Sequence, residues 1–221
     1  MAPGRTSRLK AAPARPTLVL LVRHGQTPTT GRLLPGRAPG LHLADDGRKA
    51  AEAAAQRIGK LSHVEAVYAS PLERARETAA PIARACERPL RIERGLLELD
   101  VGDWTGQSLD RLRKKPEWTA VQQNPSGFRF PEGESFLEMQ ARMVAAIGRM
   151  VERHPRRTVV AVSHADPIKA VVAHALGIHL DLFQRIMIAT ASVTAIAYRT
   201  AGPMVLTVNS MDGDLGWLGG R

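Results

Sequence analysis

The sequence predicts an α/β protein, a three-layer sandwich in which a mostly parallel central sheet carries helices on both faces. Three observations point there. Short apolar runs without polar alternation, such as Thr17–Val22 and Thr158–Val162, have the length and composition of strands buried on both sides. Alanine-rich or apolar-periodic stretches of helical length separate these runs, so strands and helices alternate. With 221 residues and 44% apolar side chains, the chain can enclose one proper core, whereas two small domains would each be short of interior.

The elements follow in order. Residues 1–16 carry Pro3, Pro13 and Pro16 with Arg5, Arg8, Lys10 and Arg15 and no apolar periodicity, which reads as a flexible basic arm before a domain at 17–210. Thr17–Val22 is the first buried strand, followed by a Gly/Pro-rich loop from Gly25 to Gly40. Asp46–Ile58 has apolar positions at helical spacing. Val64–Tyr68 is a second strand ending at Ser70-Pro71, and Pro71 suits the first turn of a helix reaching Ala85. Leu90–Ile92 is a short strand. Residues 95–133, with Gly102, Gly106, Pro116, Pro125 and Pro131, read as an irregular insertion over one end of the sheet. Ser135 with Glu138 forms a capping-box pattern opening a helix to Arg153. Thr158–Val162 runs into Ser163-His164 and then a helix from Asp166 to Leu176. Val193–Tyr198 and Met204–Val208 form a closing hairpin, and residues 211–221 read as a loose tail.

Composition narrows the function. A formal charge of +10 concentrates anions near the surface. No run approaches 18 apolar residues, so no membrane helix is expected. Leu18–Val22 is too short for a signal-peptide core and lacks a cleavage site, so a cytoplasmic protein is expected. The single Cys86 cannot form an internal disulfide or a thiolate metal site. His42, His63, His154, His174 and His179 form no HExxH or paired ligand pattern, and neither GxxxxGK[ST] nor GxGxxG occurs; no metal and no cofactor are expected. Aromatics, at 4%, are too few and too scattered for a nucleic-acid stacking platform.

Sites in open α/β sheets gather beyond the carboxyl ends of the strands. The first strand delivers Arg23-His24-Gly25 there, the second leads to Ser70 and Arg74, and the fourth delivers Ser163-His164. Two histidines and two arginines in one crevice suit a phosphoryl group. Guanidinium forks match its oxygens and keep their charge, and fixed donors can stand where other enzymes place a metal ion. A neutral imidazole is a competent nucleophile. Gly25 would let the backbone approach a bound anion closely.

These residues carry a resemblance. LVRHGQT at 21–27 resembles the RHG-[E/Q]-T signature of the histidine phosphatase superfamily, the phosphoglycerate mutase-like proteins. SPLERARETA at 70–79, LELDVGDWTG at 97–106, PEGES at 131–135 and VVAVSHAD at 159–166 are similar to further blocks of that family, in the same order. The resemblance implies that His24 becomes phosphohistidine, that Arg23, Arg74 and His164 line the phosphate pocket, and that Glu98 gives and later takes the proton. Asp166 is a second acid near the pocket, or a helix cap. The chain departs from relatives at Thr29-Thr30, Pro35-Gly36 and Ala165; Thr30, Gly36, Arg37 and Ala165 are the further expected substrate contacts. Leu99-Asp100-Val101-Gly102 follows the acid as in the phosphatase branch, where the mutases have Arg-His-Tyr-Gly. The implied function is hydrolysis of a small phosphorylated metabolite. The alternatives are mutase-type phosphoryl transfer and a non-catalytic anion- or nucleic-acid-binding protein. The expected partner is a small phosphorylated substrate, with no nucleic acid and no membrane, and a homodimer is compatible with the sequence.

Overall fold

The computed structural model describes residues 15–219. The arm expected at 1–16 therefore lies almost wholly outside the described residues, as do residues 220 and 221. The elements in chain order are β1 (Thr17–Arg23), α1 (Asp45–Gly59), β2 (Val64–Ala69), α2 (Glu73–Ala85), β3 (Leu90–Ile92), α3 (Leu109–Leu112), α4 (Glu117–Gln123), α5 (Phe136–Arg153), β4 (Thr158–Ser163), α6 (Ala165–Leu176), β5 (Val193–Arg199) and β6 (Gly202–Ser210), joined by loops and single 3-10 turns.

The six strands form one sheet in the order β3-β2-β4-β1-β5-β6. The first four strands of that order run parallel, and β5 pairs antiparallel with β1 and with β6. Alternate residues of the central strands serve opposite layers, as the pleat requires. Leu18, Leu20 and Val22 of β1 join Val160 and Val162 of β4 against Ala55 and Ile58 of α1 and Ala79 and Ile82 of α2. Val19 and Leu21 join Val159 and Ala161 against Met143 and Ile147 of α5 and Ile168 and Val172 of α6. This is the three-layer sandwich expected from the apolar runs. Burying each Leu or Ile contributes roughly 1.5–3 kcal/mol, so both faces of the sheet hold the fold.

The capping box at α5 is formed as read: Ser135 Oγ accepts from the Glu138 N–H at 3.2 Å, and Glu138 accepts from the Ser135 N–H at 2.9 Å. Helix α2 begins later than Pro71 suggested. The Ser70 N–H still bonds the Val162 carbonyl at 3.0 Å, and this ladder bond carries extended chain past the end of β2.

The insertion has a core of its own. Leu99, Val101, Trp104, Leu112, Val121 and Phe130 pack on Phe136, Met139 and Phe183. Trp104 meets Phe130 edge to face with ring centroids 5.2 Å apart.

The tail expected to be loose at 211–221 is anchored within its described part, although residues 211–214, 216 and 217 are exposed. Leu215 is 1% exposed and belongs to the core on the α1 side. Arg57 of α1 donates to the carbonyls of Ser210, Asp212 and Gly213 and to the Ser210 hydroxyl. One apolar side chain and one arginine fork suffice to seat this segment, and its Gly/Asp-rich composition concealed both.

Candidate active site

Strand register brings the two histidines together. Arg23, the last residue of β1, pairs with Ser163, the last of β4, and the His24 N–H donates to the Ser163 carbonyl at 2.9 Å. His24 and His164 therefore leave adjacent parallel strands at the same level, with ring centroids 5.1 Å apart. Ser70 leaves β2 on the other side of β4. Arg74, in the first turn of α2, is fully buried and directs Nη2 to the Gly36 carbonyl at 2.8 Å. Arg23 anchors Nη1 on the Ile188 carbonyl at 2.6 Å.

The remaining donors of this group are unpaired. Among the described residues, the buried side-chain nitrogens and oxygens without a protein partner are Arg23 Nε, Arg74 Nε, Arg74 Nη1 and His164 Nδ1. A buried donor without an acceptor costs roughly 1–3 kcal/mol, more when charged, so the three guanidinium nitrogens, with His164 Nδ1 beside them, form a cluster suited to an anion.

The histidines are prepared as neutral groups. Burial first, then the Arg74 and Arg23 guanidinium groups, hold His24 down to about 3, against the opposing effect of the Gly25 carbonyl. Its Nδ1–H donates to that carbonyl at 2.8 Å, which leaves Nε2 with the free electron pair. The same causes, burial and then Arg74, put His164 well below its ordinary range.

Glu98 stands beside them on the loop after β3. Its side chain is 16% exposed, and Oε2 lies 3.8 Å from His164 Nδ1. Burial, then the nearby Asp166 carboxylate, push it up to about 7, while Arg74, the Leu99 N–H and Arg23 pull the other way. A carboxyl that titrates there can both give and take a proton near neutrality. Asp166, in the first turn of α6, accepts from Lys169 Nζ at 3.2 Å.

The loop contacts are rearranged relative to expectation. Arg37, read as a substrate contact, places each guanidinium nitrogen on protein: Nε on the Glu98 carbonyl at 2.8 Å, Nη1 on Asp100 at 3.2 Å and Nη2 on Glu134 at 2.9 Å. It braces the acid-bearing loop, a role that the sequence did not reveal. Gly36, at φ +48, holds Arg74 through its carbonyl, and a side chain there would meet Val101 at 2.6 Å. Thr30 is bonded to Thr27 through its hydroxyl. Ala165 does face open space, in a pocket of about 380 Å³ shared with Arg23, Lys169, Gln184, Arg185 and Ile188. Gly25 has a packing task that the sequence did not reveal. A Cβ there would lie 2.4 Å from the Gly47 carbonyl, so the glycine admits the first turn of α1.

Sequence reasoning missed Arg142 and Ser163. Arg142 of α5 donates to the carbonyls of Gly95 and Leu97 and to Glu134, and Ser163 Oγ donates to the Leu96 carbonyl at 2.8 Å. Together they fix the segment that carries Glu98. A helix arginine reads as a solvated charge, so only the Glu134 in the PEGES block hinted at its partner.

The model of the histidine phosphatase superfamily (branch 1) matches residues 19–211. The chain belongs to that superfamily. Phosphoserine phosphatase 1 of Hydrogenobacter thermophilus is 30% identical over 199 residues, covering 86% of this chain and 91% of the relative. A probable phosphoglycerate mutase of Cronobacter sakazakii is 30% identical over 185 residues, covering 82% and 85%. Among solved structures, a mycobacterial glucosyl-3-phosphoglycerate phosphatase superposes with a TM-score of 0.81 at 24% identity, covering 89% of this chain and 100% of that one. This histidine phosphatase thus keeps the superfamily's fold, with both histidines, both arginines and the acid gathered beyond the strand ends.

Proposed function

We propose that the protein hydrolyses small phosphomonoesters in two displacements through a phosphohistidine at His24. The observation that carries this reading is the set of four buried, unpartnered nitrogens beside an imidazole whose Nε2 pair is free. Arg23, Arg74 and His164 hold the phosphoryl oxygens, and the arginines supply fixed positive charge where other enzymes recruit a metal ion. Nε2 of His24 attacks phosphorus as the P–O bond to the leaving group breaks, and the Glu98 carboxyl protonates the departing oxygen. Glu98, now a carboxylate, takes a proton from water as the water oxygen attacks phosphorus. The P–N bond breaks, its electrons return to Nε2, and inorganic phosphate leaves.

Hydrolysis is favoured over mutase-type transfer by the segment beyond the acid. Arg111 and Arg113, which could grip a second phosphate, are exposed, and Arg113 is paired with Asp110. The substrate is a small phosphorylated metabolite whose body occupies the pocket beside Arg23 and Ala165. The buried aromatics of the insertion speak against a nucleic-acid platform. The lone Cys86 leaves no internal disulfide, in keeping with the cytoplasm, and no helix of the described residues is long and apolar enough to cross a membrane.

The test is turnover of p-nitrophenyl phosphate in excess EDTA, with rapid acid-free quenching to trap labelled protein. Activity should survive chelation, and a base-stable, acid-labile phosphoryl label should appear in the wild type and be absent from His24→Ala. Loss of activity on chelation, or a label that survives His24→Ala, contradicts the reading.

A further inference from the structure

The ring of His164 can serve a phosphoryl oxygen only if the nitrogen facing the pocket carries the proton. Nδ1 is that nitrogen: it is buried, has no protein hydrogen-bond partner, and lies 3.8 Å from Glu98 Oε2. The other, Nε2, lies 2.9 Å from the hydroxyl oxygen of Ser70, which is fully buried. A neutral imidazole has one donor and one acceptor nitrogen, so the direction of this one bond sets the chemistry of the opposite face.

The surroundings of Ser70 decide the direction. Apart from the contact with His164, its hydroxyl oxygen forms one hydrogen bond among the described residues, accepting from the Leu72 N–H at 3.5 Å. Among the described residues, Nε2 is thus the one acceptor bonded to the hydroxyl. Were Nε2 to carry the proton instead, the Ser70 hydroxyl would be buried with no acceptor. Nδ1 would then turn an electron pair toward the Glu98 carboxyl and toward any anion held by Arg23 and Arg74. Both faces of the ring would carry the wrong group.

We propose that Ser70 is a positioning residue that holds His164 as the Nδ1–H tautomer, so that His164 donates a hydrogen bond to the phosphoryl group during transfer. The inference rests on the phosphatase reading for its consequence but not for its geometry. The protein need only bond Ser70 Oγ–H to Nε2. The serine touches neither substrate nor reacting atoms, and it works through the ring beside it.

The test combines nitrogen NMR with kinetics. In wild-type protein labelled with ¹⁵N-histidine, the His164 signals, assigned with His164→Gln, should show a protonated Nδ1 and an unprotonated Nε2. In Ser70→Ala that pattern should be lost, kcat for p-nitrophenyl phosphate should fall about 10- to 100-fold, as loss of one buried hydrogen bond supports, and vanadate inhibition should weaken in parallel. Ser70→Thr, which keeps the hydroxyl, should restore the wild-type nitrogen pattern and most of kcat. A wild-type His164 protonated at Nε2 overturns the proposal without any variant, so it remains decidable even if Ser70→Ala fails to fold. An unchanged kcat in folded Ser70→Ala overturns it, and so does a lost kcat with an unchanged nitrogen pattern. Failure of the phosphatase reading is seen separately, as absence of wild-type turnover, while the nitrogen signals still report the tautomer.

Discussion

Arg37 Nε donates to the backbone carbonyl of Glu98 at 2.8 Å, and Arg142 Nη2 approaches the same carbonyl at 3.4 Å. The acid's backbone is thus held by two arginines from distant parts of the chain, which share Glu134 as a common counter-ion. A loop residue with one carboxyl to aim gains its precision from these braces, since its own backbone is irregular. Arg37→Ala should therefore behave as a loosened acid. Turnover of alkyl phosphates should fall about 10- to 100-fold, while p-nitrophenyl phosphate, whose leaving group hardly needs a proton, should lose only a few-fold. A larger rise in KM than fall in kcat would return Arg37 to the role of substrate contact.

Glu98→Gln removes the proton that the leaving oxygen takes. It should slow alkyl phosphates far more than p-nitrophenyl phosphate, by about 100-fold or more. In the wild type, cleavage of alkyl phosphates should decline as pH rises through about 7, because the acid must be protonated for the first displacement. Equal slowing of both substrates, or a pH-independent first step, would remove Glu98 from that role.

The same carboxyl makes a prediction about stability. Its folded-state value, about 7, lies above its ordinary value of 4.5, so the folded state binds its proton more tightly. That contribution is complete below pH 4.5 and is lost as pH rises through 7. Glu98→Gln, which cannot ionise, should match the wild type near pH 4 and exceed it at pH 8 by up to roughly 3 kcal/mol, the free energy of that pKa interval. His24 acts in the opposite sense. Its folded value, about 3, lies below 6.5, so its contribution is present above pH 6.5 and lost on acidification toward 3. His24→Asn should flatten this acid loss by up to roughly 4 kcal/mol. Urea titrations at pH 4, 6 and 8 read both effects.

Arg23, His24 and His164 were legible at the ends of apolar strands and Arg74 just after the second one, whereas Glu98 was legible only through the resemblance of LELDVGDWTG to its family block. β1 and β4 could be read from their apolar runs, and parallel pairing then put His24 beside His164. Roles that depend on tertiary approach were not legible. Arg37 stands on a Gly/Pro loop and could equally have faced ligand or protein; its orientation follows from where residues 98–100 and Glu134 end up. Arg142 lies on a helix face that sequence alone assigns to solvent. Leu215 is a lone apolar residue in a polar tail, with no periodicity to announce that the core of α1 and β1 receives it.

Gly25, read from the sequence as a place where backbone can approach an anion closely, also has a close backbone neighbour within the protein. Its added Cβ would stand 2.4 Å from the carbonyl oxygen of Gly47, and a Cβ on Gly47 would stand 2.1 Å from that of Gln26. Both close contacts are with backbone, which has no rotamer through which to yield, so the first turn of α1 would have to move away from the end of β1. That movement also strains the bond from the Gly25 N–H to Thr78 Oγ1, whose hydroxyl donates to the Arg74 carbonyl in α2. Gly25→Ala should cost about 1–3 kcal/mol, the range for overpacking a tight site, and should lower kcat by displacing His24 relative to Arg74. Gly47→Ala, whose Cβ would press on the Gln26 backbone from the helix side of the same contact, should reproduce the loss of stability, read as Tm. Should Gly25→Ala instead lose phosphate affinity at unchanged Tm, the glycine would serve the anion and not the helix.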